Sequence, residues 1–250
     1  MKKIKFSILT VTLNAEKEIS QTIESILGQT YANFEVIVKD GLSKDMTCEL
    51  IPKDSRIKLI KKSDHSVYEG MNQAIEYATG DYIIFMNAGD EFYNSHVLEK
   101  ISDFIEKNGI QETTVLYGAY ENKGNINFQK KTLKQIDFYR KPICHQSIIY
   151  PRNVFEYNGK FDLNYKICAD HEMTVKLWCK GIPFRHTGFV ICKYLGGGLS
   201  ETDQNMRIAK KEKIKIVDTY FSGLKHQLLS FIVFIFVPQF KQLKNKLLNK

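Results

Sequence analysis

A chain of 250 residues, 43% of them hydrophobic, can bury a full core and is long enough for one α/β domain with an appendage. Its five cysteines (Cys48, Cys144, Cys168, Cys179, Cys192) are odd in number and never spaced C-x-x-C, which argues against a disulfide framework or a paired-cysteine zinc site and for a reducing cytoplasm. The net charge of +8 is uneven, with lysines crowded after residue 205; without zinc-finger spacing, an RNP-like strand or a helix-turn-helix pattern, this basic end suggests an anionic membrane surface and no nucleic acid.

The basic start leads into IKFSILTVTL at 4–13. This run is apolar and β-branched, and no small-residue cleavage site follows, so it reads as a buried first strand and not a signal peptide. Beyond Asn14, residues Ile19, Ile23, Ile26 and Leu27 recur at helical spacing. A second strand is expected at 34–39, running into the loop DGLSKDMT. A short helix at 46–51, stopped by Pro52, and a third strand at 57–61 come next. Val67, Met71, Ala74, Ile75 and Ala78 share one helical face, closed by Gly80 and Asp81 before a strand at 82–86 that ends in NAGD. Such strand–helix alternation means parallel strands joined by right-handed crossovers.

Further helices are expected at 95–107 and 170–180, and strands at 115–120, 147–150 and 189–195. Residues 121–141 are polar and Lys-rich and read as an irregular loop beside the site. A charged helix at 205–221 precedes LLSFIVFIFV at 228–237, flanked by Lys225 and by Lys241, Lys244 and Lys246. A spanning helix needs about 20 apolar residues, so this segment suits the membrane interface, or else packs on the domain or in a dimer seam.

Asp40 and Asp90 each open a loop after an expected parallel strand, and open α/β sheets bind ligands outside the carboxyl ends of their strands. One carboxylate there can accept a nucleobase N–H edge, and another can hold a divalent cation on a diphosphate. Asp-Gly is equally a common turn pair, which stays open for Asp40; a turn role is also the better reading for Asp45.

Four stretches in this order resemble family 2 glycosyltransferases of the GT-A fold, in their non-processive bacterial form, over about residues 4–200. They are FSILTVTLNAEKEISQTIESILGQTYANFEVIVKDGLSKDMT, SDHSVYEGMNQAIEYATGDYIIFMNAGDEF, HQSIIYPRNVFEYNGKFDLNYKICADHEMTVKLW and GGGLS at 196–200. The second and third are most similar to the branch that builds colanic-acid-like exopolysaccharides, capsules and O-antigens. The Q-x-x-R-W signature of processive enzymes is absent.

The resemblance implies an α/β, GT-A (Rossmann-like nucleotide-diphospho-sugar transferase) fold with a mostly parallel central sheet and a C-terminal helical tail. It implies a domain at 1–204, with a nucleotide-binding half at 1–92 and an acceptor-side half at 93–204; composition sets apart a basic amphipathic helical tail at 205–250. It implies that Asp40 reads the nucleobase, that Val11 and Thr12 line the same pocket, and that Asp64 and Asn72 lie near the nucleoside, with helix capping as their alternative. Asn87, Ala88 and Gly89 would lie against the nucleotide sugar, and Asp90 would hold Mn²⁺ or Mg²⁺, although NAGD keeps only the last acid of the usual D-x-D-D.

Asp170 would be the general base and Glu172 the runner-up, with stabilisation of a helix start as the alternative for both. His145, Gln146, Gly197 and Gly198 would lie on the acceptor or diphosphate side, His145 with an ordinary structural role as its alternative. The implied activity is inverting transfer of one sugar from a UDP- or GDP-linked donor to a hydroxyl of a lipid-linked or oligosaccharide acceptor. It would take place at the inner face of the cell membrane, with residues 224–250 touching the lipid and a homodimer left open. Two rivals remain: a catalytically inactive nucleotide-sugar scaffold, and a nucleotidyltransferase, whose Gly-rich triphosphate loop is not seen at Leu13–Glu16.

Overall fold

The segment FSILTVT has no polar face to offer water, and Phe6–Thr12 is accordingly a fully buried strand, β1. In the computed structural model, which describes residues 3–194, 196 and 202–238, β1 pairs in parallel with β2 (Phe34–Asp40) on one side and β4 (Tyr82–Phe85) on the other. The strand β3 (Ile57–Lys61) extends β2, again in parallel. Beyond β4 the direction reverses: β8 (Ile148–Pro151) is antiparallel to β4 and to β6 (Val115–Asn122), and β9 (Phe184–Tyr194) is parallel to β6. The short β5 (Asp90–Phe92) closes the far edge antiparallel to β9, and β7 (Asn125–Asn127) makes a hairpin with β6. The sheet order is β3-β2-β1-β4-β8-β6-β9-β5, with β1, β2, β3, β4, β6 and β9 running one way.

Alternate residues of β1 feed two cores. Phe6 and Ile8 pack with α1 (Ile19–Leu27) and α3 (Val97–Lys107) on one face; Leu9 and Val11 pack with α2 (Val67–Ile75) and α6 (Ala169–Cys179) on the other. α2 starts where Ser66 Oγ accepts from the Glu69 amide at 3.1 Å. Its Gly70 faces β1 so closely that an added Cβ would sit 2.6 Å from Val11 Cγ1.

The structure departs from the sequence reading in several places. Residues 46–50 form turns and no helix, because Asp45 Oδ1 accepts from the Thr47 amide at 3.1 Å and folds the chain back locally. The stretch 121–141 is only partly irregular: it holds β7 and α4 (Gln135–Arg140), whose Asp137 accepts from the Lys134 amide at 2.8 Å. The strand β5, a 3₁₀ turn at His145–Ser147 and the helix α5 (Arg152–Asn158) are additional elements. The helix α7 (Asp203–Tyr220), read as the start of the tail, buries Ala209, Ile216 and Val217 and so packs as part of the domain.

After α7, α8 (Gly223–Ser230) and a π-helical stretch at Phe231–Phe236 dock on Tyr139 of α4. Phe221 stacks on the Tyr139 ring at 5.5 Å, Phe234 tilts against it at 6.1 Å, and the Tyr139 hydroxyl lies 2.9 Å from His226 Nδ1. No helix among the described residues is long and apolar enough to cross a membrane. Gly197, Gly198, Lys241, Lys244 and Lys246 lie outside the described residues.

Replacing Gly70 by Ala sets two effects against each other. Helix propensity favours Ala by about 1 kcal/mol, whereas forcing a methyl into Val11 costs about 1–3 kcal/mol. A net loss of stability is expected in urea denaturation of Gly70→Ala; a gain would show that Val11 and β1 yield freely.

Candidate active site

The strands β1, β2 and β4 end at one edge of the sheet, and three loops converge there. Thr12 and Asp40 are register partners on the last rung of β1 and β2, which brings Val11, Thr12 and Asp40 together. Asp40 is buried; its Oδ2 accepts from the Leu42 and Ser43 amides, both at 2.9 Å, and its Oδ1 accepts from the Ser43 hydroxyl. The turn chemistry suggested by Asp-Gly is therefore present.

Asp64 lies beneath this turn, 3.0 Å from where a Cβ on Gly41 would stand. It forms an ion pair with Lys39, a lysine wholly withdrawn from solvent. Burial pushes the Lys39 amine down, while the charge of Asp40 beside it acts in the opposite direction. Asn72 requires a correction. Its Nδ2 donates to the Phe161 carbonyl and its Oδ1 accepts from the Phe161 amide, both at 2.9 Å. Both polar atoms of Asn72 thus clamp the chain ahead of α6.

The NAGD loop is laced to the end of β1. Asn87 Oδ1 accepts from the Val11 amide at 3.2 Å, and the Ala88 amide donates to the Val11 carbonyl at 3.3 Å. Gly89 takes φ +97°, open to glycine without a steric cost, and donates to Thr22 Oγ1 of α1 at 2.9 Å. This bend delivers Asp90 to an interior position, 6% exposed. Its one side-chain partner among the described residues is Gln146, whose Nε2 donates to Oδ1 at 3.2 Å. Burial raises the Asp90 carboxyl to about 7, against the pull of Gln146 and of the Asn87 backbone. A dry carboxylate so short of proton donors is a suitable oxygen ligand for Mg²⁺ or Mn²⁺. No set of three His, Cys, Asp or Glu side chains converges among the described residues, so the remaining ligands would come from the donor's phosphates and water.

Asp170 projects from the first turn of α6. Its Oδ1 lies 2.8 Å from the Tyr68 hydroxyl, which has one proton to divide between it and the Ile167 carbonyl at 2.7 Å. Burial and the Asp170 charge raise the Tyr68 phenol, so it stays protonated. His145 Nδ1 lies 3.8 Å from Asp170 Oδ2, too far for a hydrogen bond. Burial depresses the His145 imidazole despite Asp170, leaving it neutral, with Nε2 enclosed and without a partner among the described residues. His145 and Gln146 are consecutive residues of the 3₁₀ turn, so one dipeptide touches Asp170 with its first side chain and Asp90 with its second.

Glu172 also requires a correction. Two residues along a helix is about 200° of rotation, so it points away from Asp170. It is buried against α7, hydrogen-bonded by Tyr220, with Lys176 Nζ at 3.4 Å, and fastens α6 to α7. Three contributors escaped the sequence reading. Tyr68 left no signal there. Lys39 left one, a charge inside a strand otherwise buried on both faces. The third, Glu212 of α7, takes over a capping task that α6 lacks locally: its carboxylate accepts from the amides of Lys166, Ile167 and Cys168 at 2.7, 3.0 and 2.9 Å.

This fold, with acidic loops at the ends of its parallel strands, is that of GT-A enzymes, which use nucleotide-linked sugars. The profile of Glycosyl transferase family 2 matches residues 7–171, and the chain belongs to that family; it is a glycosyltransferase. It is 29% identical over 219 residues to a PGL/p-HBAD biosynthesis glycosyltransferase of Mycobacterium tuberculosis, covering 84% of this chain and 82% of that one. Over 118 residues it is 38% identical to the Escherichia coli UDP-Glc:alpha-D-GlcNAc-diphosphoundecaprenol beta-1,3-glucosyltransferase WfgD, covering 46% of this chain and 45% of that one. The structure of S. aureus TarS 1-349 in complex with UDP-GlcNAc superposes with a TM-score of 0.71 at 18% identity, over 89% of this chain and 69% of that one.

His171, beside Asp170, holds α4 in place: its Nε2 lies 2.9 Å from the Phe138 carbonyl, and burial pushes the ring down to about 4 although Asp170 opposes this. The unfolded chain therefore binds this proton more readily than the folded one. Stability is full above the unfolded pKa of 6.5 and declines as pH falls from there toward 4, by up to about 3 kcal/mol. Urea unfolding across that range should show a steeper acid loss for the wild type than for His171→Gln; parallel curves would mean that the histidine is not held neutral.

Proposed function

We propose that the protein transfers a single sugar, with inversion, from a nucleotide-diphosphate sugar to a hydroxyl of a lipid-linked glycan during assembly of a surface polysaccharide. One observation carries this reading: the His145–Gln146 dipeptide sits between two under-paired carboxylates, Asp90 and Asp170. An inverting displacement needs such a pair, one acid on the leaving side and one opposite it.

In this reading the base lies at the Val11–Thr12 edge, where Asp40 Oδ1 accepts from one of its N–H groups. Ala88 and Gly89 line the donor beside Asp90. A divalent cation held by Asp90, when bound, neutralises the charge that develops on the departing diphosphate. Tyr68 fixes Asp170 by Oδ1 and leaves Oδ2 turned toward His145. Burial keeps His145 neutral, so it sets no positive charge against Oδ2. Asp170 takes the proton of the acceptor hydroxyl as that oxygen bonds to the anomeric carbon. The bond from that carbon to the diphosphate oxygen breaks, and its electron pair leaves with the nucleoside diphosphate.

The name of the E. coli relative, which specifies a diphosphoundecaprenol acceptor, supports a lipid-linked acceptor here. So does the apolar stripe that the end of the chain presents. Leu224, Leu228, Phe231 and Ile235 recur at i, i+4, i+7 and i+11, and all are exposed, as befits a helix lying in the membrane interface on the cytoplasmic side.

UDP and GDP should each be tried for thermal stabilisation with and without Mn²⁺; at a hundred times its dissociation constant a ligand adds about 2.7 kcal/mol. One nucleotide should stand out, more so with metal, and Asp90→Ala should abolish the metal increment. Asp170→Asn should keep donor binding while turnover falls about 10²- to 10⁴-fold. Undiminished turnover would remove Asp170 from the mechanism, and no response to either nucleotide would remove the transferase reading of the isolated chain.

A further inference from the structure

The helices α4 and α7 and the π-helical stretch at Phe231–Phe236 line an open cavity of about 430 Å³ that the site above does not use. One side is apolar, from Tyr139, Val233 and Phe234; the other carries Arg140, Lys210 and Lys213. No carboxylate lines it, and none of the three cations is in an ion pair among the described residues. Three acids of the surrounding helices are engaged elsewhere: Asp137 with Lys130 at 2.9 Å, Asp218 with His226 at 3.2 Å, and Glu212 with the backbone amides ahead of α6; Asp203, at the start of α7, does not line the cavity. Three cations facing one concavity without a counter-charge call for an anion with more than one negative charge.

Two further features define that anion. The cavity's own wall of Tyr139, Val233 and Phe234 is apolar, so an anion held by its cations is one attached to something apolar. The cavity also lies close to the start of α6. The carbonyl of Ala209, which lines the cavity, is 3.7 Å from Cys168 Sγ, two residues before Asp170, and the charge of Lys213 reaches the neighbouring His171. General attraction to an anionic bilayer needs only a flat basic surface. A concave site that gathers three cations near the start of α6 fits one particular headgroup.

We propose that the Arg140–Lys210–Lys213 cavity binds the diphosphate of the lipid that carries the acceptor glycan, with the start of the lipid chain against Tyr139, Val233 and Phe234. This deepens the transferase reading and rests on it. Diphosphate binding here would set the first sugar of the acceptor toward Asp170 and convert encounter in the membrane into a local one.

The test is flotation of the full chain with phosphatidylcholine vesicles that carry either polyprenyl diphosphate or phosphatidylglycerol, matched in total charge. The wild type should favour the polyprenyl diphosphate vesicles at least tenfold. A cation near a membrane surface contributes about fivefold, so Arg140→Gln with Lys213→Gln should lower that binding about 25-fold while the melting temperature stays unchanged. Leu228→Ser with Phe231→Ser should weaken binding to both vesicle types. Equal binding of the wild type to the two vesicles, or an undiminished preference in the double charge variant, would overturn the proposal. If the wild type shows no lipid preference while nucleotide stabilisation persists, the cavity assignment falls and the transferase reading stands. If the lipid preference persists without nucleotide binding, it is the transferase reading that falls.

Discussion

A carboxylate withdrawn from water has to be met by protons or by opposite charge, and how fully each is met sorts the acids of this protein by task. Asp64 has the ammonium of Lys39, Glu172 has Tyr220 and Lys176, and Glu212 has three backbone amides. These groups hold elements together and have little left for a ligand. Asp90 has a single side-chain amide in a dry position, and Asp170 has part of one hydroxyl proton. The two acids that the protein leaves short are the two that the proposed chemistry employs, and both sit at the edge where β1, β2 and β4 end.

The reversal of direction at β8 brings them into contact with a common element. An antiparallel strand starts where its parallel neighbours finish, so the residues just before β8 arrive at the same edge as the NAGD loop. Ile84 of β4 pairs with Ile149 and Tyr82 with Pro151, which sets the turn at His145–Ser147 beyond the carboxyl end of β4. A parallel strand in that place would have carried this turn to the opposite edge. Thus the part of the sheet that breaks the doubly wound pattern is what joins Asp90 to Asp170.

The parallel half of the fold was legible because its signals are local. Buried parallel strands read as unbroken apolar runs, and α1 and α2 each show one apolar face. The misread segments are those where a polar side chain decided the backbone. Asp45 turns 46–50 away from the helix its apolar residues suggested, and Asp137 starts α4 within a stretch that looked formless. Glu172 could have been set apart by its two-residue spacing from Asp170 alone. Asn72 could not, since its partner Phe161 is brought near only by the fold. The same holds for Tyr68 and Asp170: nothing in the sequence joins them.

The separation of a tail from the domain at residue 205 was also a matter of local composition, and α7 shows why composition misleads there. Taken around the helix axis at 100° per residue, Ala209 and Ile216 face the core, with Glu212 on one flank and Lys213 and Lys210 on the other. The Glu212 flank fixes the loop from which α6 and Asp170 begin; the lysine flank lines the cavity beside the apolar stripe. A charged helix with few apolar positions resembles a solvated appendage in sequence, yet its charges are divided between two tasks on opposite sides of a narrow buried seam.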